Sequence, residues 1–263
     1  MPDSPGRRRL PSPVVLPVVL AVVLIALVLS GCGGSSGPTT LTVLAPPSLK
    51  EVFGEMGTAY GQLHPGVRLR FDFGAMPEMT DRLSSQDPGD VLVTGDTASM
   101  DEAADHLTDH RRTVAHNSLT IAVRPGNPRR IRALRDLARP RLRVVVGAES
   151  VPVGRYTRQV LAKSGLTVRW SSKEISARAV LDRIRAGEAD AGIVYITDLR
   201  SAGVAASSVP IPADLNATAA YPAAPVRGGD HEEAADAFVS WLTTPAAQKL
   251  FNKYGFVTPP APQ

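Results

Sequence analysis

The sequence has a single cysteine, Cys32, so no disulfide can form within the chain. Aromatic residues make up only 5%, too few for a surface that stacks on single-stranded nucleic acid. Net charge is small as well. The formal value is +4, and Arg7, Arg8 and Arg9 against Asp3 place a net +2 of it in residues 1–31. The remaining chain carries about +2, too little to hold a phosphate backbone. The chain also lacks G-x-S-x-G, P-loop, H-E-x-x-H and C-x-x-C patterns. Its carboxylates are scattered, with no pair placed as acid and base. Neither a catalytic apparatus nor a cofactor is expected from these absences, and no internal repeat breaks the chain into modules.

The N-terminal segment reads as an address. "RRR" precedes an apolar run from Val14 to Leu29, and "LSGC" follows. A charged start and a short apolar core fit an export signal. A transmembrane helix is the alternative, and the run is slightly short for it. "LSGC", Leu29 to Cys32, resembles the bacterial lipobox, which is cut before its cysteine. This predicts a signal peptide over 1–31, lipid attachment at Cys32, and a flexible tether over 32–40 containing "GGSSGP". The mature protein is then exported and anchored to the outer face of the cell membrane.

At 263 residues the chain is long enough for two lobes of ordinary domain size. "LTVLA" reads as a strand and Leu49–Tyr60 as a helix; "VRLRFDF" alternates like a strand. "PEMTDRLSS" suits a helix, and "GDVLVTGD" a buried strand before the helix "ASMDEAADHL". "SLTIAVRP", "LRVVVGA", "TVRW" and "DAGIVYI" read as strands. "LRDLARP", "GRYTRQVLAKSG" and "SARAVLDRIRAGEA" read as helices. The tail from Glu232 is helical, with a break near Pro245. "AAYPAAPVRGG" reads as an irregular connection between lobes. Strands alternating with helices predict an α/β fold with mostly parallel sheets.

Arginines outnumber lysines 24 to 5, and eight lie between Arg124 and Arg143. A solvated face is the ordinary meaning of such a run; contact with a partner protein or anionic lipid is the sharper one. His106 and His110 are four apart on an expected helix. That spacing can hold a metal, but two ligands on an exposed helix rarely suffice, so no metal site is expected.

Helix starts that follow strand ends are more informative. In open α/β sheets ligands bind beyond the carboxyl ends of strands, where unpaired N–H groups and the helix dipole favour anions. Ser48 follows the first strand. "VPVG", Val151 to Gly154, opens one later helix, and Ser176 with Ala177 opens another. Tyr195 ends the "GIVY" strand. Each has an ordinary explanation. "SLKE", Ser48 to Glu51, is a capping box that needs no ligand. "VPVG" could be a plain turn, and Tyr195 a core ring with its hydroxyl at the surface.

Taken together, these segments resemble the substrate-binding proteins of molybdate ABC transporters, from about Leu41 to Phe256. "VLAPPSL" is similar to the family's opening strand and Ser-Leu. "PGDVLVTGD…SMD" is similar to its "ADLFISAD…WMD", and "NSLTIAVRPGNP" to its crossing strand. "ESVPVGRYTRQVL" is similar to "xxVPAGxYAxxAL", "RAGEADAGIVYITD" to "xxGEAxxGIVYxTD", and "PAAQKLFNKYGF" to its final helix. The resemblance implies a two-lobed periplasmic-binding-protein fold with a hinge near Ile121 and Val209. Lobe one would be 41–121 with 217–263, and lobe two 122–216. It implies a monomer that captures a tetrahedral oxyanion, molybdate or tungstate, and delivers it to an ABC permease. Ser48 would donate its hydroxyl and N–H, Val153 and Ala177 their backbone N–H groups, and Tyr195 its hydroxyl. A second serine of the family falls near Met76, with Ala75 beside it, and methionine offers only its N–H. That departure leaves open a receptor or sensor of the same fold with altered oxyanion binding. A hydrolase using Ser48 would need a nearby histidine, and ranks last.

Overall fold

A computed structural model describes residues 37–203 and 206–259. The expected signal peptide, Cys32 and most of the tether lie outside these residues. The described chain forms one nine-stranded mixed sheet, ordered β2-β1-β3-β9-β4-β7-β5-β6, with β8 paired to β4. The strands are β1 Thr39–Ala45, β2 Val67–Phe73, β3 Val91–Val93, β4 Arg112–Val123, β5 Val144–Gly147, β6 Ser172–Glu174, β7 Ala191–Tyr195, β8 Ser207–Pro210 and β9 Thr218–Pro225. The helices are α1 Lys50–Leu63, α2 Met76–Leu83, α3 Thr97–Glu102, α4 Pro152–Ser164, α5 Ala177–Arg185, α6 Ile196–Ala202, α7 Glu232–Trp241 and α8 Pro245–Lys253.

The expected parallel ladders stand at the two ends of the sheet. β1 pairs parallel with β2 and β3, and β5 pairs parallel with β6 and β7. The two ends meet through antiparallel pairs on β4 and β9. β4 runs beside β9 from Arg112 to Ser118, then beside β7 from Leu119 to Val123. Its last residues also pair with β8, Ile121 directly opposite Val209, at the position expected for the hinge.

The helices cover the sheet through apolar faces at helical spacing. Val52, Phe53, Met56 and Tyr60 of α1 are buried, and the Phe53 ring lies 5.2 Å from Phe71 and 6.3 Å from Phe251. Val180, Leu181 and Ile184 of α5 pack with Ala122, Val145 and Val194. Met76, Met79 and Leu83 of α2 pack with Leu44, Leu92 and Met100. Part of the arginine-rich stretch is structural. Arg129 and Arg143 each approach the fully buried Asp190 carboxylate at 3.2 Å, which an unpaired buried charge requires.

Four local expectations are corrected. "AAYPAAPVRGG" is not an irregular link; most of it is β9, inside the sheet. Pro222 is tolerated there because it pairs beside the register shift between Thr113 and Ala115 of β4, where a ladder bond is already lost. "TVRW" is not a strand; the strand is three residues, Ser172–Glu174. The helix expected over "ASMDEAADHL" ends at Glu102, and a separate turn of 3-10 helix spans Ala104–His106. Finally, Ser48 does not cap α1. It sits inside a 3-10 turn, Pro47–Leu49, that runs directly into α1, and no side chain caps either start. The two prolines preset φ for that turn and carry the serine past the capping position.

One glycine fixes how β5 meets α4. A Cβ on Gly154 would lie 1.8 Å from the Ala148 carbonyl oxygen and 2.7 Å from that of Gly147, so the first turn of α4 lies directly against the strand end. Gly54, exposed on α1, has nothing within 4 Å of its Cβ position. Gly154→Ala is expected to destabilise by about 1–3 kcal/mol, the usual penalty of overpacking. Gly54→Ala should instead stabilise by about 0.5–1 kcal/mol through helix propensity. Urea unfolding of the two variants checks both signs.

Candidate functional site

The expected site residues converge. Ser48, Met76, Val153, Ala177 and Tyr195 all line one pocket, with Ala75, Gly95, Pro152, Ser176 and Arg178 among its other walls. It encloses about 30 Å³, room for one small ion rather than a sugar or a peptide.

Four of the five residues stand at the first or second position of a helical segment. Pro47 and Pro152 occupy the first positions, so Ser48 and Val153 are second; Met76 and Ala177 are first. Helix-start N–H groups have no intrahelical partner and lie at the positive end of the dipole. Local sequence builds each start. Ser176 caps α5 by accepting from Ala179 N at 3.1 Å. Glu78 Oε2 accepts from Ala75 N at 3.3 Å and ties the start of α2. Proline at N1 of α4 loses no bond, since that N–H would be unpaired anyway.

Tyr195 supplies the remaining wall. Its ring is 3% exposed, and its hydroxyl is a buried polar atom without a hydrogen-bond partner. A Cβ on Gly95 would lie 3.8 Å from that hydroxyl and 3.2 Å from Pro152, so the turn after β3 comes close to both. Burial holds the phenol far above its ordinary pKa, and it remains a neutral donor. Leaving such a donor unpaired costs about 1–3 kcal/mol. A native site keeps a group of this kind for a partner of its own.

The charges around the pocket are committed. Arg178, the cation among the lining residues, pairs with Glu51 of α1. On the other flank Arg155 of α4 donates to Asp96 at 2.5 and 3.1 Å and to Ser99 at 2.5 Å. Asp96 also caps α3 through Ser99 N at 2.9 Å. Below Tyr195, burial pushes the Asp198 carboxyl up to about 7, against the pull of Arg178, so near neutral pH much of it carries no charge to repel an anion. The pocket thus offers neutral donors and helix dipoles, a chemistry suited to an anion.

Sequence reasoning missed the residues behind and beside these donors. Met76 was expected as a donor, and its side chain is 4% exposed and packed in the core with Met79 and Leu83; only its N–H is available to the pocket. Gly95, Arg155 and Arg178 carried no signal beyond their motifs. Tyr221 was hidden in a stretch read as irregular, although an isolated tyrosine among small residues is the pattern of a buried ring. His106 and His110 do not share a helix. His110 pairs with Asp236 of α7, and His106 lies 3.4 Å from Ser84. Among the described residues no cluster of His, Cys, Asp or Glu could hold a metal.

Comparison with known proteins agrees with this geometry. Residues 41–257 match the family described as bacterial extracellular solute-binding protein. The molybdate-binding protein ModA of Mycobacterium tuberculosis is 32% identical over 232 residues, 88% of this chain and 89% of that protein. An aconitate isomerase from a Pseudomonas species is 27% identical over 241 residues, 85% of this chain and 89% of that protein. The solved periplasmic molybdate-binding protein of Azotobacter vinelandii superposes with a TM-score of 0.73 at 19% identity, covering 84% of this chain and all of that one. The chain therefore belongs to the bacterial extracellular solute-binding protein family.

Proposed function

We propose that this protein captures a tetrahedral oxyanion, molybdate or tungstate, outside the cytoplasm and delivers it to the membrane permease of an ABC importer. The observation that carries the reading is the buried, unpartnered Tyr195 hydroxyl at a pocket ringed by helix starts. Ser48, Met76, Val153, Ala177 and Tyr195 are the donors. Lobe one is 41–121 with 217–263 and lobe two is 122–216; flexing of β4 and β8 near Ile121 and Val209 closes the cleft on the ion. The mature chain starts at Cys32, which carries the lipid, and acts as a monomer.

Binding rather than turnover follows from the donor set. The recorded partner of the Ser48 hydroxyl is Tyr221 at 3.2 Å, not a histidine that could activate it. The isomerase likeness gives an enzyme of this fold as a competing reading. It would need a titrating base at the pocket, and Arg178 is the charged group among the lining residues. The receptor reading rests on Met76, whose side chain serves the core and leaves the site one hydroxyl short.

Three tests follow. A ligand that binds only the folded state stabilises it by about 2.7 kcal/mol at a hundred times its dissociation constant. Molybdate or tungstate should therefore raise the melting temperature, with sulfate and phosphate much weaker, and Tyr195→Phe should reduce the shift. No response to any oxyanion would favour the receptor. Restoring a hydroxyl at the second-serine position should also distinguish two neighbours. Met76→Ser empties a buried position and is expected to cost about 2–3 kcal/mol of stability. Ala75→Ser, at the cap of α2, should keep stability and tighten molybdate binding by roughly tenfold, the weight of one charge-assisted hydrogen bond; calorimetric titration reads both. Cys32→Ala should abolish incorporation of a labelled fatty acid and block lipoprotein signal cleavage, and equal labelling of mutant and wild type would remove the anchor.

A further inference from the structure

We infer that Tyr221 and Asn117, neither of which lines the pocket, fix the direction of the Ser48 hydroxyl and bias the site toward fully deprotonated oxyanions. The inference rests on the oxyanion reading above and concerns what lies behind the donors.

The argument is one of hydrogen-bond accounting. Asn117 is 1% exposed. Its Oδ1 accepts from Ser118 N at 2.9 Å, which fixes the orientation of the amide. Its Nδ2 then faces Thr197 Oγ1 at 2.8 Å and, at a long 3.5 Å, Tyr221 Oη. An amide nitrogen donates and cannot accept. Tyr221 is fully buried, and burial raises its pKa, so the phenol keeps its proton. That proton needs an acceptor. The two groups recorded at Tyr221 Oη are the Asn117 amide, which has none to offer, and Ser48 Oγ at 3.2 Å. Tyr221 therefore donates to Ser48.

The consequence falls on the serine. With one lone pair of Ser48 Oγ engaged by Tyr221, its own proton turns away from Tyr221 and toward the pocket that Ser48 lines. A serine without such a partner can rotate, donating to one ligand and accepting from another. Here it is held as a donor. Molybdate near neutral pH carries no proton and can use every donor. Hydrogen phosphate brings a proton that needs an acceptor, and with Tyr221 on one lone pair of Ser48 Oγ this wall has one acceptor position fewer to give it. Tyr221 and Asn117 are thus positioning residues that act through Ser48.

Tyr221→Phe tests this, because the ring and its packing against Tyr195 at 6.0 Å and Phe256 at 5.4 Å are retained. Molybdate and hydrogen phosphate are titrated calorimetrically into wild type, Tyr221→Phe, Ser48→Ala and the double variant. In the Ser48 background Tyr221→Phe should weaken molybdate about tenfold and lower the molybdate-to-phosphate affinity ratio by a similar factor. In the Ser48→Ala background it should change neither. An equal loss of molybdate affinity in both backgrounds would mean a packing role and overturn the inference, as would unchanged affinities throughout in a protein that binds molybdate. A wild-type protein that binds no oxyanion would overturn the oxyanion reading itself, and the inference with it.

Discussion

The structure depends on the register of one strand. β4 holds β9 with its first half and β7 with its second, so it is the common edge of both ends of the sheet. That register also assembles the site. Leu119 lies opposite Tyr195, Ala115 lies opposite Tyr221, and Asn117 sits between them on the same strand. Side chains alternate along a strand, so Asn117 shares a face with Ala115 and Leu119, at the point where β4 changes neighbour. A slip of one residue would turn Asn117 to the other face and part it from Thr197 and Tyr221. The hinge proposed near Ile121 begins only two residues beyond Leu119. The frame of the site and the proposed hinge are therefore parts of the same strand.

Electrostatics decides what this frame can hold. A guanidinium free at the pocket would attract any anion, protonated or not. Here Arg178 is matched by Glu51 and Arg155 by Asp96, and each pair joins an element of one proposed lobe to an element of the other. Both pairs flank the pocket, so they favour the approach of the two sides without adding net charge to it. What remains for the proposed ion is a set of N–H and hydroxyl donors whose directions are fixed by helices and by buried partners. Such a set discriminates by geometry and by proton count, whereas a salt bridge would discriminate mainly by charge.

Much of this was legible in the sequence. Proline at helix starts, glycine at a strand-to-helix contact and a tyrosine at a strand end each express a backbone requirement, and Ser48, Val153, Ala177 and Tyr195 reach one pocket as their motifs implied. What was not legible depends on contacts distant along the chain. The partner of the Ser48 hydroxyl lies 173 residues away, and nothing in "SLKE" points to it. β9 was concealed by its prolines, because the bulge that accommodates Pro222 belongs to β4, and a strand does not announce its neighbour's irregularities. The partners of Arg155 and Arg178 were equally invisible, since neither carboxylate lies near its arginine in sequence.

The departure at Met76 follows from the same division of labour. Val153, Ala177 and Met76 are all buried, and in each the side chain packs into the core while the N–H stands at a helix start. Side chains at such positions answer to core packing and can change as long as volume is kept. The donor survives the change because it belongs to the backbone. Ser48 and Tyr195 are different, since in the proposed site their hydroxyls are themselves the donors. Substitution among the backbone donors leaves the kind of chemistry intact and alters the number of donors by at most a hydroxyl. Substitution at Ser48 or Tyr195, or at Tyr221 behind them, would on the proposed reading alter which anions the site can tell apart.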